Sequence, residues 1–242
     1  MFRPVSITMG PDGCLYIADW YNRIISHNEV PRDHPARDKT RGRIWRVRPE
    51  GLPATETINV AAAQTEALPK HLSSGQAWEM RAAWHQIVDR KATALIPTLK
   101  AMAGESGNVG IRVHALWSLE GLGHFDRGLW ERLLGDENVE LRHQAVRALS
   151  TLQPPEGDVD ALLLGLKPID SYRVLNEAVR FFRDTPQELS AARMAWLETM
   201  VTPDSALPKD TVKGWKGTYK ALGGTSSRVF TLCTSRFKKA LS

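Results

Sequence analysis

Trp78-Glu-Met-Arg81-Ala-Ala83, Gly110-Ile-Arg112-Val-His-Ala115, Glu140-Leu-Arg142-His-Gln-Ala145 and Ser171-Tyr-Arg173-Val-Leu-Asn-Glu-Ala178 are one motif written four times. Their arginines stand 31, 30 and 31 residues apart. Each opens a stretch with apolar residues at helical spacing, such as Ala115 and Leu119, Ala145 and Leu149, Ala178 and Phe182. A second apolar run follows each one, at 95–102, 129–134, 159–166 and 189–200. Asp136-Glu-Asn-Val139 supplies cap and first-turn acids ahead of the third motif. Gly121-Leu-Gly123 ends the second, where glycine accepts the left-handed conformation.

Two helices in every thirty to forty-five or so residues are the signature of a HEAT or armadillo-like helical-repeat solenoid. One helix pair cannot bury its own apolar face, whereas stacked pairs share a continuous core. The expected fold is therefore mainly α, with the solenoid at 76–203. The recurrent arginines are expected to pair with acids of neighbouring repeats. Trp84, Trp117, Trp130 and Trp196 lie on apolar faces and are read as core.

Upstream the period changes to two. Pro4-Val-Ser-Ile-Thr-Met9, Cys14-Leu-Tyr-Ile-Ala-Asp19 and Gly42-Arg-Ile-Trp-Arg-Val-Arg48 alternate as half-buried strands do. Gly10-Pro-Asp-Gly13 between the first two is dense turn chemistry. Strand, tight turn, strand, long loop and strand make most of one β-propeller blade, a short antiparallel segment at 1–50. A linker and first helix at 51–75 join it to the solenoid, and 204–242 form a basic cap or tail with eight Lys and Arg against two acids.

Composition narrows the chemistry. Hydrophobic residues make up 42% and charged residues 24% of the chain, ordinary for a globular protein. No apolar stretch approaches the ~18 residues that span a membrane. The start lacks a basic and apolar secretory leader, so the chain is expected to be cytoplasmic or an internal piece of something longer. Cys14 and Cys233 are too few for a disulfide framework and form no zinc or haem motif; both read as small buried apolar residues. His85, His114, His124 and His143 make no i, i+4 pair, so no metal site is expected. Nucleophile-elbow and phosphate-binding motifs do not occur, and catalytic residues stay unassigned.

The loop at 19–43 is where ligand chemistry is most concentrated. It offers Asp19, Trp20, Asn22, His27, Asn28 and Arg43 as candidate cofactor-binding residues, with Glu29, Asp33, His34 and Asp38 beside them. Oxygen ligands at this density could hold Ca²⁺, and His27 or His34 could serve as a base near neutral pH. Against this, Asp19 and Asn22 suit turn hydrogen bonds and the histidines suit a surface.

Phe2-Arg-Pro-Val-Ser-Ile-Thr-Met-Gly-Pro-Asp-Gly-Cys-Leu-Tyr-Ile-Ala-Asp-Trp20-Tyr-Asn22, Ile25-Ser-His-Asn28 and Asp38-Lys-Thr-Arg-Gly-Arg-Ile-Trp-Arg46 resemble the last propeller blade of the large "membrane-bound dehydrogenase" proteins of Planctomycetes and Verrucomicrobia. His114-Ala-Leu-Trp-Ser-Leu-Glu-Gly-Leu-Gly123 resembles the signature of the helical repeats that follow that propeller. The resemblance implies a protein exported to the periplasm or cell envelope. Its propeller would be similar to glucose and sorbosone dehydrogenases, with pyrroloquinoline quinone, Ca²⁺ and a haem c domain in full-length relatives. This chain holds part of one blade and no haem motif, so no cofactor is expected on it. The reading that follows is a non-catalytic scaffold that binds protein through the concave solenoid face. The alternative is a freestanding HEAT-repeat module for an acidic protein or, less favoured because the repeats mix acids and bases, nucleic acid. A quinone-dependent dehydrogenase in its own right ranks last.

Overall fold

The computed structural model describes residues 2–24, 29–51, 57–152, 154, 156–166, 171–184 and 190–200. Among these the protein is mainly helical, with one three-stranded antiparallel sheet followed in the sequence by nine α-helices. The chain divides into two compact units, 1–92 and 93–242. The basic tail at 204–242, including Cys233, lies outside the described residues.

In the first unit, β1 (Pro4–Met9), β2 (Leu15–Asp19) and β3 (Arg43–Val47) pair in the order β1-β2-β3. Ile7, Ile17 and Trp45 lie opposite one another, as do Met9, Leu15 and Val47. Side chains alternate across a pleat, so these six share one face. The turn joining β1 to β2 depends on two glycines. Gly13 takes a positive φ of 70°. Gly10 leaves room for the Tyr16 ring, which would stand 2.3 Å from a Cβ there. Cys14 is buried as expected. After two 3-10 turns come α1 (Leu68–Leu72) and α2 (Ala77–Asp89), which pack together. Arg90 anchors the first of those turns by donating to the carbonyls of Ala61 and Ala63, both at 2.7 Å. His71 and the buried Glu79 tie α1 to α2 at 2.6 Å.

The second unit holds α3 (Ile96–Glu105), α4 (Val109–Gly121), α5 (Arg127–Leu134), α6 (Val139–Leu152), α7 (Glu156–Leu163), α8 (Tyr172–Asp184) and α9 (Ser190–Met200). Every helix expected from the repeat forms. Asn138 caps α6, its side-chain oxygen accepting from the N–H groups of Glu140 and Leu141. Gly123 takes the expected left-handed conformation after α4 (φ 68°). Successive packing runs α4 on α6 on α8, while α5 packs between α3 and α7. Leu116, Leu119, Leu129, Leu133, Leu141 and Leu149 are fully buried between them.

The four motif arginines diverge in role. Arg112 pairs with Asp136 at 2.7 Å ahead of the next repeat, and Arg173 reaches back to Glu140 at 2.9 Å. Arg142 donates to the carbonyls of Asp136 and Glu137, and Arg81 is exposed. The core reading of the tryptophans holds for two. Trp130 and Trp196 are buried, their indole N–H groups donating to the carbonyls of Ala145 and Leu166. Trp84 and Trp117 are only half-buried, which corrects that reading. Trp117 turns its N–H to Gln144 (3.0 Å), so its polar edge follows the surface.

A buried ion pair fastens α9. Arg193 is fully buried and grips Asp160 of α7 with two bonds of 2.8 Å, its guanidinium also facing the Phe182 ring. Removing one partner leaves a buried charge alone, which typically costs about 3–5 kcal/mol. Asp160→Ala or Arg193→Ala should each lower the unfolding free energy of residues 93–200 by about that much. Denaturant melts followed by circular dichroism check this, and a loss below ~1 kcal/mol would show the pair to be solvated.

Candidate functional site

The candidate residues gather where β2 ends and β3 begins. Asp19, the last residue of β2, is buried and fully engaged. Its Oδ1 accepts from the backbone N–H of Arg3 (2.8 Å) and Tyr21 (3.2 Å). Its Oδ2 accepts from the Trp45 indole (3.0 Å) and pairs with Arg43 (3.1 Å). The Trp45 indole bond above all holds its pKa down to about 2, against the desolvation that burial imposes and with help from the two backbone N–H donors. At the other end of the sheet Asp12 has the same office. Desolvation pushes its pKa up, but the Cys14 N–H, the Arg46 guanidinium and the Tyr16 hydroxyl together outweigh that and leave it well below the ordinary carboxylate range.

Asn22 is buried. Its amide donates to the Asp38 carbonyl (2.9 Å) and its oxygen accepts from the Ile24 N–H, so it sews the long loop to the strand ends. Asp38 accepts from the N–H and hydroxyl of Thr40 and pairs with Arg41, and those contacts, the Thr40 N–H foremost, lower its pKa. Arg43 lies over the Tyr21 ring, 3.8 Å from its centroid. Tyr21 itself sits at φ 38°, a left-handed conformation uncommon for a bulky side chain, fixed by its N–H bond to Asp19. Trp20 is 55% exposed. His27 and Asn28 lie outside the described residues. His34 accepts the Ala36 N–H within its own turn.

Between these groups lies an open cleft of about 690 Å³. Val5, Ala18 and Ile44 contribute apolar lining, and Arg32, Lys39 and Arg41 contribute basic lining. The two basic residues at 32 and 39 carry no signal in the sequence beyond general polarity; only the path of the loop places them on the cleft.

Residues 1–51 match the family model described as "Domain of unknown function (DUF7133)". That match takes in all three strands and leaves the helices outside it. No curated protein and no solved structure matches the chain.

The cofactors implied by the resemblance do not fit these residues. Calcium takes about six to eight oxygen ligands, but Asp19 and Asp38 direct their oxygens to N–H, hydroxyl and guanidinium donors. A quinone cofactor needs a pocket that closes over its ring, and here Trp20 and Ile44 stand 55% and 76% exposed on an open wall. No reaction step is drawn through either group. Among the described residues, no cluster of His, Cys, Asp or Glu is arranged to hold a metal, and no helix is long and apolar enough to cross a membrane.

Acid should release the strand ends. A carboxyl whose folded pKa lies below its ordinary 3.8 stabilises the fold fully above that value and loses the contribution as pH falls through about 2. The Trp45 indole N–H resonance, followed by NMR, should therefore stay fixed down to about pH 4 and move between about pH 4 and 2. Asp19→Asn should abolish that titration.

Proposed function

We propose that this chain is a non-catalytic protein-interaction scaffold: a HEAT-like solenoid carried behind a partial β-propeller blade, within an exported redox protein similar to sugar dehydrogenases. The observation that carries the reading is a run of bonds crossing three successive repeats. The Trp117 indole donates to Gln144 and Gln144 donates to Glu140, which Arg173 grips from α8. With Arg112–Asp136 and Lys100–Asp126 this fixes neighbouring pairs at several points, as a rigid repeat scaffold requires. The exposed Arg147, over the Trp117 ring, and Arg180 border the same run. They offer a partner aromatic and charged contacts, the residue types enriched where proteins dock.

Two facts support the blade. Ile7, Met9, Trp45 and Val47 leave an apolar sheet face exposed, and among the described residues neither β1 nor β3 has a neighbour on its outer edge. Sheets blunt, cover or pair such edges when they are complete. A larger propeller would do so on both sides.

The test has two arms. The purified chain, given glucose, pyrroloquinoline quinone, Ca²⁺ and a redox dye, should show no sugar-dependent dye reduction. A photo-crosslinker at position 147 or 180, in the source cells, should capture one discrete protein, and the Arg147→Glu/Arg180→Glu variant should lose it. Sugar-dependent reduction by the chain, or no capture at either position, overturns the scaffold.

A further inference from the structure

We propose that the cleft beside β2 and β3 binds a small organic dianion built on an apolar ring, with Trp20 as the platform and Arg32 and Lys39 as the cations that hold its anionic groups.

Charge accounting is the first argument. Five cations line the cleft (Arg32, Arg37, Lys39, Arg41 and Arg43) against two carboxylates, Asp19 and Asp38. Arg41 and Arg43 are matched with those carboxylates. Arg37 is committed to the loop, donating to the carbonyls of Val30 (2.7 Å) and Pro31 (3.0 Å). Arg32 and Lys39 meet no carboxylate among the described residues, and both are exposed. Positive charge gathered in a concave site raises the local concentration of anions. A guanidinium and an ammonium bind carboxylate, sulfate or phosphate oxygens through charge-assisted hydrogen bonds.

Shape and stiffness supply the second argument. The volume of about 690 Å³ falls within the ~300–1,000 Å³ range of small-ligand sites. Val5, Ala18 and Ile44 give it an apolar lining, and Trp20, 55% exposed, lines it with them. An apolar ring gains from that surface what a bare inorganic ion cannot. The wall is also held in place: Tyr21 keeps its strained backbone under the Arg43 guanidinium, and Asn22 ties the loop to the strand end. A site set before binding loses less conformational freedom on taking its ligand. A reacting quinone has to be kept from water, which this open cleft does not do, whereas a ligand that is only bound needs no such closure.

This inference does not rest on the scaffold reading, because the cleft lies wholly within residues 1–92. The probe is naphthalene-2,6-dicarboxylate, titrated into the full chain by calorimetry, with uncharged naphthalene-2,6-dimethanol as the control. The diacid should bind saturably and at least about tenfold tighter than the diol. Arg32→Glu/Lys39→Glu should weaken the diacid by about tenfold or more while leaving the melting temperature unchanged. Arg32→Gln/Lys39→Gln serves the same purpose if charge reversal disturbs the loop. Trp20→Ala should weaken diacid and diol alike. Equal affinity for diacid and diol, an unaffected double variant, or no saturable binding overturns the proposal.

Discussion

A pair of short amphipathic helices exposes as much apolar surface as it hides, and the second unit is organised around that constraint. The leucines of α4, α5 and α6 are buried in a layer where α4 packs on α3 and α6, α5 on α3, α6 and α7, and α6 also on α8. Apolar burial is non-directional, so it cannot by itself fix how far one pair slides along the next. The polar contacts do that. Arg112 with Asp136, Arg173 with Glu140, and the indole N–H groups of Trp130 and Trp196 on backbone carbonyls allow one alignment each. At α7 and α9 the buried Asp160–Arg193 pair adds a directional lock with a large penalty for misregister.

The sheet solves a different problem with buried carboxylates. Three strands bury little, and β1 is exposed along its whole length. Asp12 and Asp19 substitute for a core at the two ends, each drawing together backbone N–H groups, an aromatic donor and a guanidinium from separate strands. Carboxylates so surrounded stay ionised well into acid, which ties the order of the strand ends to pH. The same contacts that order the strand ends shape the cleft above them. Asp19 and Asn22 line that cleft with their polar atoms already bonded within the fold, while Trp20, Arg32, Lys39 and Ile44 line it exposed.

The difference between the two units shows how much was legible beforehand. The helices could be placed within a few residues because a 3.6-residue period, caps such as Asn138 and stops such as Gly123 act locally. The strands were equally readable from their period of two and from Gly10 and Gly13. The motif arginines were legible as a set but not one by one: Arg112 and Arg173 cross to another repeat, while Arg142 closes on its own helix entry. Trp84 and Trp117 misled for the same reason, since an apolar stripe says which side of a helix faces inward but not how deep its margin lies.

By itself, the sequence determined the period, the helix and strand segments, the turn glycines and the presence of a polar loop at 19–43, because each is set by residues close along the chain. Only the tertiary structure decided which acids meet which arginines, that Asp160 and Arg193 are buried together, and that Asp19, Arg32 and Lys39 line one cleft. Those outcomes depend on pairs such as Asp19 with Trp45 and Asp160 with Arg193, 26 and 33 residues apart, and no local rule relates residues at that range.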